Sequence, residues 1–351
     1  MAPTSDEGAR RVGALLAPFA RARFLSWATP LERLPRLSAR LGIALSVKRD
    51  DLTGLAFGGN KVRKLEFYFG KAQSLGADTV LITGAVQSNY VRVTAACAAR
   101  LGMQCHVQLE ERVAGMDETY RHSGNVLLDD LLGAVRHAYP HGEDEAGADR
   151  RLNEIAAELQ AKGRKPYVIP LGPDNPPLGA LGYVDGAREL LGQAQGGFDY
   201  LVLGSGSGLT HAGLLFGLRL LGWQGRVIGI CVRRPAAAQA QRIAGHCQRL
   251  GELLGVANPV IAADIELRDQ VLAPGYGLMN PPVAEAIHLA ASLEGMLVEP
   301  VYTGRALAGL IDARQADAID GGSRVVFLHT GGLPALFGYE RDLRAQAMGK
   351  P

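Results

Sequence analysis

The first place in the chain where residue type and spacing suggest covalent chemistry is Gly58-Gly59-Asn60-Lys61-Val62-Arg63-Lys64-Leu65-Glu66. The glycines and Asn60 end a loop, and an amphipathic helix follows, so one amine is presented at a helix start. An amine removed from water beside a helix N-terminus and other cations has a lowered pKa and stays nucleophilic at neutral pH, as Schiff-base formation requires. Taken alone, the segment favours a plainer reading in which Lys61 is one more surface lysine on a charged helix, like Lys64 and Lys71.

Two further segments shift that balance. Gly84-Ala85-Val86-Gln87-Ser88-Asn89-Tyr90 follows a β-like run and opens another helix. Ser88 and Asn89 stand where an N-cap belongs, and the free amides of the same helix end can receive a carboxylate. Gly204-Ser205-Gly206-Ser207-Gly208-Leu209-Thr210-His211-Ala212-Gly213 again lies between a strand and a helix. Its glycines let backbone amides approach a phosphate, with the helix dipole and the Thr210 hydroxyl adding to the attraction. The spacing is not a clean dinucleotide fingerprint, no acidic residue closes a strand about 20 residues on, and no lysine follows as in a P-loop.

The elements that must position these segments read as α/β. Short runs of Val, Ile and Leu at 44–48, 79–83, 104–109, 165–170, 200–203, 226–232 and 324–329 look buried on both faces, the pattern of a parallel sheet. Helical patterns are expected at 61–75, 89–101, 118–132, 149–161, 179–191, 209–221, 236–254 and 282–293, on both sheet faces. The segments 139–147 and 172–177 read as surface connections, the second as a candidate domain crossover.

Composition limits the function classes. The chain has 351 residues, 47% hydrophobic and 21% charged, enough for one large or two medium domains. A formal charge of +2 with scattered basic residues gives no field for nucleic acid. Cys97, Cys105, Cys231 and Cys247 show no metal or disulfide spacing, so no metal is expected and a reducing, cytoplasmic compartment fits. Arg10 and Arg11 precede an apolar run over 12–20, but Arg21 and Arg23 follow at once and no clear cleavage site appears, so export is not expected. No run approaches the roughly 18 apolar residues of a membrane span.

In this order the segments resemble the family that contains D-cysteine desulfhydrase, 1-aminocyclopropane-1-carboxylate (ACC) deaminase and L-cysteate sulfo-lyase. The resemblance spans nearly the whole chain: Thr29-Pro30-Leu31-Glu32, Lys48-Arg49-Asp50-Asp51, Gly59-Asn60-Lys61, Gln87-Ser88-Asn89, Gly124-Asn125-Val126-Leu127-Leu128-Asp129, Gly179-Ala180-Leu181-Gly182-Tyr183, Pro274-Gly275-Tyr276-Gly277, Pro300-Val301-Tyr302-Thr303-Gly304 and His329-Thr330-Gly331-Gly332. It implies a tryptophan-synthase-β-like fold of two open, mostly parallel sheets flanked by helices, with pyridoxal 5′-phosphate (PLP) as cofactor and an amino acid as substrate. It implies a larger domain from 1–60 with 170–351, a smaller one from 61–169 that closes over substrate, and a homodimer. Lys61 would hold PLP, with Asn60 beside it. Ser88 would lie near the substrate α-carbon and carboxylate, and Asn89 and Tyr90 beside them. Gly206, Ser207, Gly208, Leu209 and Thr210 would hold the phosphate. Tyr276 and Tyr302 would face the substrate, and Thr303 and Thr330 would line the pyridine side. For His211 and His329, structural roles are preferred.

The implied reaction is β-elimination from a small amino acid, D-cysteine first, giving pyruvate, ammonia and sulfide. L-Cysteate, which would need a cation near the β-carbon, is the nearest alternative. An ACC deaminase, a β-replacement transferase and a non-catalytic phosphate-ligand-binding protein are the others. ACC deaminases place a glutamate where this chain has Thr303, and a carboxylate makes PLP the stronger electron sink that ring opening needs. Two departures bear on specificity: Tyr90 replaces the His of the desulfhydrases or the Gln of ACC deaminases, and the segment 172–177 replaces a simpler loop.

Overall fold

The computed structural model of the chain describes residues 5–172 and 175–348, so Pro173 and Asp174 of the expected crossover lie outside the described residues. The chain runs α1 (Ser5–Leu16), β1 (Leu31–Arg33), α2 (Pro35–Leu41), β2 (Ala44–Lys48), α3 (Lys61–Ser74), β3 (Thr79–Ala85), α4 (Asn89–Arg100), β4 (Gln104–Glu110), α5 (Glu118–His122), α6 (Asn125–Leu131), β5 (Val135–Tyr139), α7 (Glu145–Ala161) and β6 (Pro166–Val168). It continues through α8 (Leu178–Gln193), β7 (Tyr200–Ser205), α9 (Leu209–Leu220), β8 (Arg226–Cys231), α10 (Ala236–Leu254), β9 (Glu266–Arg268), α11 (Pro281–Glu294), α12 (Thr303–Gln315), β10 (Arg324–Leu328), α13 (Ala335–Gly338) and α14 (Glu340–Met348).

The strands form two sheets, β1-β2-β10-β7-β8-β9 and β5-β4-β3-β6. Every pairing is parallel except β1 with β2. Central strands carry unbroken apolar runs because helices cover both faces: β3 is buried at every residue. One face of the six-stranded sheet packs against α8, α9 and α10 through residues such as Leu203, Leu215 and Leu250. The other packs against α11 and α12 through Val283, Leu307 and Leu310. Helices α3 and α4 cover the smaller sheet with Val62, Phe69, Val91 and Val93. Burial of each such side chain stabilises by about 1.5–3 kcal/mol.

All seven expected strands are present, and three more were not anticipated. Strands β1 and β9 have three residues each, too few for a periodic signal. Strand β5 has a polar, half-exposed pattern because it is a sheet edge with one neighbour. The expected helix over 118–132 is instead two helices, broken at Gly124, whose φ is 62° and where a Cβ would lie 2.6 Å from Gln87 Oε1. Helix α7 begins at Glu145, inside the segment expected to be a connection. The apolar run from residue 12 belongs partly to α1, which buries Val12 and Leu16 in the core beside α8 and α9. Among the described residues no helix is long and apolar enough to cross a membrane.

Candidate active site

The three sequence segments converge because each follows the C-terminal end of a parallel strand or opens the helix beside it, where α/β sheets gather ligands. Lys61 is the first residue of α3 and lines a cleft with Asn60, Ser88, Asn89, Tyr90, Gly206, Ser207, Gly208, Thr210, Tyr276, Tyr302 and Thr330. Asn60 lies 150 residues from Thr210 in sequence, yet its Nδ2 donates to Thr210 Oγ1 at 3.0 Å. Its backbone amide donates to Thr330 O at 3.0 Å. One residue thus ties the lysine turn to the glycine loop and to the end of β10.

Burial drives the Lys61 ammonium down to about 8, only partly offset by a hydrogen bond with Lys64 and the field of Glu299. Lys64, set beside Lys71 as a surface residue in the plainer reading, is instead 1% exposed and lines the same cleft. Its amine is held well below the ordinary lysine range, first by burial and then by the Lys61 charge. Position i+3 on a helix puts the two amines on one face, which is the signal that would have found Lys64.

Ser88 caps α4: its Oγ accepts from the amides of Tyr90 at 3.2 Å and Val91 at 3.3 Å. The hydroxyl hydrogen stays available to a ligand, so capping and chemistry coexist. Asn89 is fixed by residues that the sequence did not single out for a role. Its Oδ1 accepts from Asn125 Nδ2 at 3.0 Å and Arg92 Nη1 at 3.1 Å. With the oxygen committed, the amide nitrogen is the group turned toward Gly332, where a Cβ would meet it at 2.9 Å. Asn125 is braced by Gln87, which accepts from the Asn125 amide at 2.9 Å, and Arg92 Nη2 donates to Gly58 O at 2.7 Å, just before the lysine.

The glycine loop is held open from behind. Gln239 donates to Gly206 O at 3.0 Å, and Arg242 donates to Ser207 O at 3.0 Å from α10. The same peptide planes carry the Ser207 and Gly208 amides, which therefore point the opposite way. Gly208 has φ of 91°, and a Cβ there would lie 3.0 Å from Ile243 and His246. Leu209 does not line the cleft: its side chain is in the core, and only its backbone belongs to the helix end.

Tyr276 and Tyr302 share a 2.8 Å hydroxyl hydrogen bond, and Lys61 Nζ lies 5.9 Å from the Tyr302 ring centroid and 5.2 Å from that of Tyr90. Thr330 lines the cleft, whereas Thr303 does not. The Thr303 Oγ1 instead accepts from the Glu299 amide at 2.9 Å. Glu299, fully buried, accepts in turn from the amides of Val301, Tyr302 and Thr303, capping α12. His329 is a packing residue, with Nε2 against Leu297 O at 2.9 Å and Nδ1 accepting from the Gly331 amide. His211 lines the cleft with Nδ1 against Ser205 Oγ at 3.2 Å, and burial lowers it to about 4, so it stays neutral.

The donor set fits PLP. Lys61 and Lys64 are desolvated amines without a salt-bridge partner among the described residues, and the outward-held loop carbonyls leave amides free for a phosphate. Among the described residues no cluster of His, Cys, Asp and Glu is placed to hold a metal ion.

The family model described as pyridoxal-phosphate dependent enzyme matches residues 23–331. The chain is 44% identical over 326 residues to D-cysteine desulfhydrase of Salmonella typhimurium, covering 92% of this chain and 97% of that protein. It is 45% identical over 326 residues, with the same coverage, to D-cysteine desulfhydrase of Yersinia enterocolitica. A crystal structure of an ACC deaminase homologue superposes with a TM-score of 0.86 at 39% identity, covering 95% of this chain and 98% of that one.

Proposed function

The chain belongs to the pyridoxal-phosphate-dependent enzyme family, and we propose that it is a carbon–sulfur lyase converting D-cysteine to pyruvate, ammonia and sulfide. The observation that carries this reading is identity of 44–45% with D-cysteine desulfhydrases over nearly the full length of both chains. The cleft supports elimination rather than ring opening. Glu145 is the one carboxylate among the described lining residues, and it is bound by arginines, which leaves it unsuited to hold a proton on a pyridine nitrogen.

Lys61 would hold PLP covalently, the Ser207–Thr210 turn with Lys64 its phosphate, and Asn60, Asn89 and Thr330 its ring. When bound, PLP supplies the electron sink for negative charge at the substrate α-carbon. The Lys61 amine, at about 8, can take and return a proton near neutral pH. Ser88 Oγ, already accepting two amide bonds, keeps a hydrogen to donate to the substrate carboxylate or to relay a proton. One hydroxyl hydrogen of the Tyr276–Tyr302 pair is spent within the pair, and the other is free for the departing sulfur. Tyr90 would form the pocket wall beside Lys61.

The four-stranded sheet with its helices would close over the substrate and exclude water. The protein would work in the cytoplasm as a homodimer; light scattering on the purified protein tests the dimer. The activity is tested by 2-oxo acid and ammonia release from PLP-loaded protein, read as pyruvate with D-cysteine, L-cysteine, L-cysteate and β-chloro-D-alanine and as 2-oxobutyrate with ACC, with Lys61→Ala as control. D-Substrates turned over preferentially and lost in the control are the expected result, and turnover of ACC or an L-substrate alone would overturn it.

A further inference from the structure

Beyond the tyrosine pair the cleft is lined by Arg112, Arg233, Arg234 and Arg242, a set that D-cysteine, with its small neutral thiol, does not require. Arg233 Cζ lies 5.9 Å from the Tyr276 ring centroid, so the cluster begins at the end where the β-substituent would depart. The side chains of Arg112, Arg233 and Arg242 are only 10–11% exposed. Glu110 neutralises Arg112 from behind through two bonds of 2.8 Å. The remaining three arginines converge on Glu145: Arg233 Nη1 donates at 2.6 Å, Arg234 Nη2 donates in a shorter contact, and Arg242 Nη1 lies 3.7 Å away. Glu145 opens α7 on the smaller sheet's side, and its side chain is about a third exposed and outside the apolar core.

The charge balance is uneven. Six lining cations, Lys61 and Lys64 included, face the single carboxylate of Glu145. A cofactor phosphate on the glycine loop would be met by Lys64, leaving three arginines to Glu145 and the largely exposed Glu143, which lies 3.5 Å from Arg233. Burial and then mutual repulsion hold Arg242 below the ordinary arginine range even with Glu145 in place. A surplus of desolvated cations recognises an anion of matching geometry.

We infer that Glu145 occupies a subsite for a negatively charged β-substituent, and that the enzyme also eliminates from amino acids bearing one, with S-sulfocysteine as the probe substrate. The inference rests on the carbon–sulfur lyase reading. The substrate's sulfonate displaces the Glu145 carboxylate from Arg233 and Arg234. The α-proton is lost, the Cβ–S bond breaks with its electron pair going to sulfur, and thiosulfate departs. Water then converts the three-carbon product to pyruvate and ammonia, so S-sulfocysteine and one water yield pyruvate, ammonia and thiosulfate. No oxidant or reductant is consumed.

The test compares kcat/KM for S-sulfocysteine with that for β-chloroalanine of the same configuration, whose substituent is uncharged. Arg233→Gln is expected to lower this ratio about tenfold or more, as loss of a charge-assisted hydrogen bond does. Glu145→Gln should raise it, and methanesulfonate should bind wild-type holoenzyme by calorimetry and weaken in Arg233→Gln. Ratios unchanged within twofold in both variants, with D-cysteine still turned over, would overturn the subsite and leave a structural clasp between the two sheets. Failure of D-cysteine turnover would instead strike the lyase reading, and the methanesulfonate titration would still decide the subsite.

Discussion

On one side of helix α3, Arg63 donates to Asp50 at 2.9 and 3.0 Å, to Glu189 at 2.7 and 3.0 Å and to Thr29 at 3.0 Å. Tyr183 donates to the same Asp50 at 2.6 Å. Burial opposes the Arg63 charge, but the two carboxylates outweigh it and hold the guanidinium firmly protonated. One residue later Lys64 is buried as deeply, and two residues earlier Lys61 is half-buried at the cleft, neither with a carboxylate in salt-bridge range among the described residues, and desolvation pushes both amines down. The same helix start therefore holds a compensated cation that joins α3 to β2 and α8, and uncompensated ones that lower its stability in return for reactivity. Unpaired buried charge is a liability that a fold keeps where it is used.

The contrast is broken or sharpened first by substitution at its two poles. Lys61→Ala is expected to abolish pyruvate release, a loss of at least about 1,000-fold, while its thermal midpoint stays level or rises. Arg63→Met should do the reverse, leaving Asp50 buried without its main partner and lowering stability by about 3–5 kcal/mol, read as a shift of the urea midpoint. An Arg63→Met protein as stable as wild type would remove the contrast.

The next effect concerns pH. A lysine with a folded-state pKa near 8 against about 10.5 unfolded binds fewer protons when folded between those values, so stability rises with pH across that window. Below pH 8 the penalty in cofactor-free protein amounts to about 3 kcal/mol, from about 1.4 kcal/mol per pKa unit. Lys61→Met should therefore exceed the stability of cofactor-free wild type below pH 8, with the gap closing toward pH 10.5. A gap independent of pH in parallel melts would contradict the burial of an uncompensated amine.

A smaller effect tests whether Asn89 depends on its brace. Asn125→Ala removes one of the two donors that hold Asn89 Oδ1 and should reduce kcat about tenfold, with a shifted pH dependence of the bound cofactor's visible absorbance. A change in thermal midpoint alone would make Asn125 merely structural. The smallest expected effect on activity is Tyr90→His, which alters the wall 5.2 Å from Lys61 and should change KM for D-cysteine severalfold, while stability falls by about 1–3 kcal/mol because the ring is buried in the core of the smaller sheet.

Much of this architecture was legible in the linear chain. The seven buried-strand runs and the eight helical patterns gave the fold class, because strands covered on both faces carry a local signal. The short strands β1 and β9, the polar edge β5 and the break at Gly124 carried none, since an edge or a kink is defined by its neighbours. The site was legible where glycines or caps mark a ligand turn, as at Lys61, Ser88 and Gly206–Thr210. It was illegible at Arg92, Asn125, Glu145, Arg233 and Arg234, whose meaning lies in contacts across more than thirty residues.

By itself the sequence determined the alternation of strands and helices, the turns able to bind an anion and the lysine at a helix start, all properties of residues close in the chain. Only the tertiary structure decided which lysines lose water, which arginine gains carboxylates, which oxygen of Asn89 is already spent, and that Thr303 faces Glu299 rather than the cleft. Desolvation and hydrogen-bond saturation are set by what surrounds a group in space, and sequence distance does not encode that.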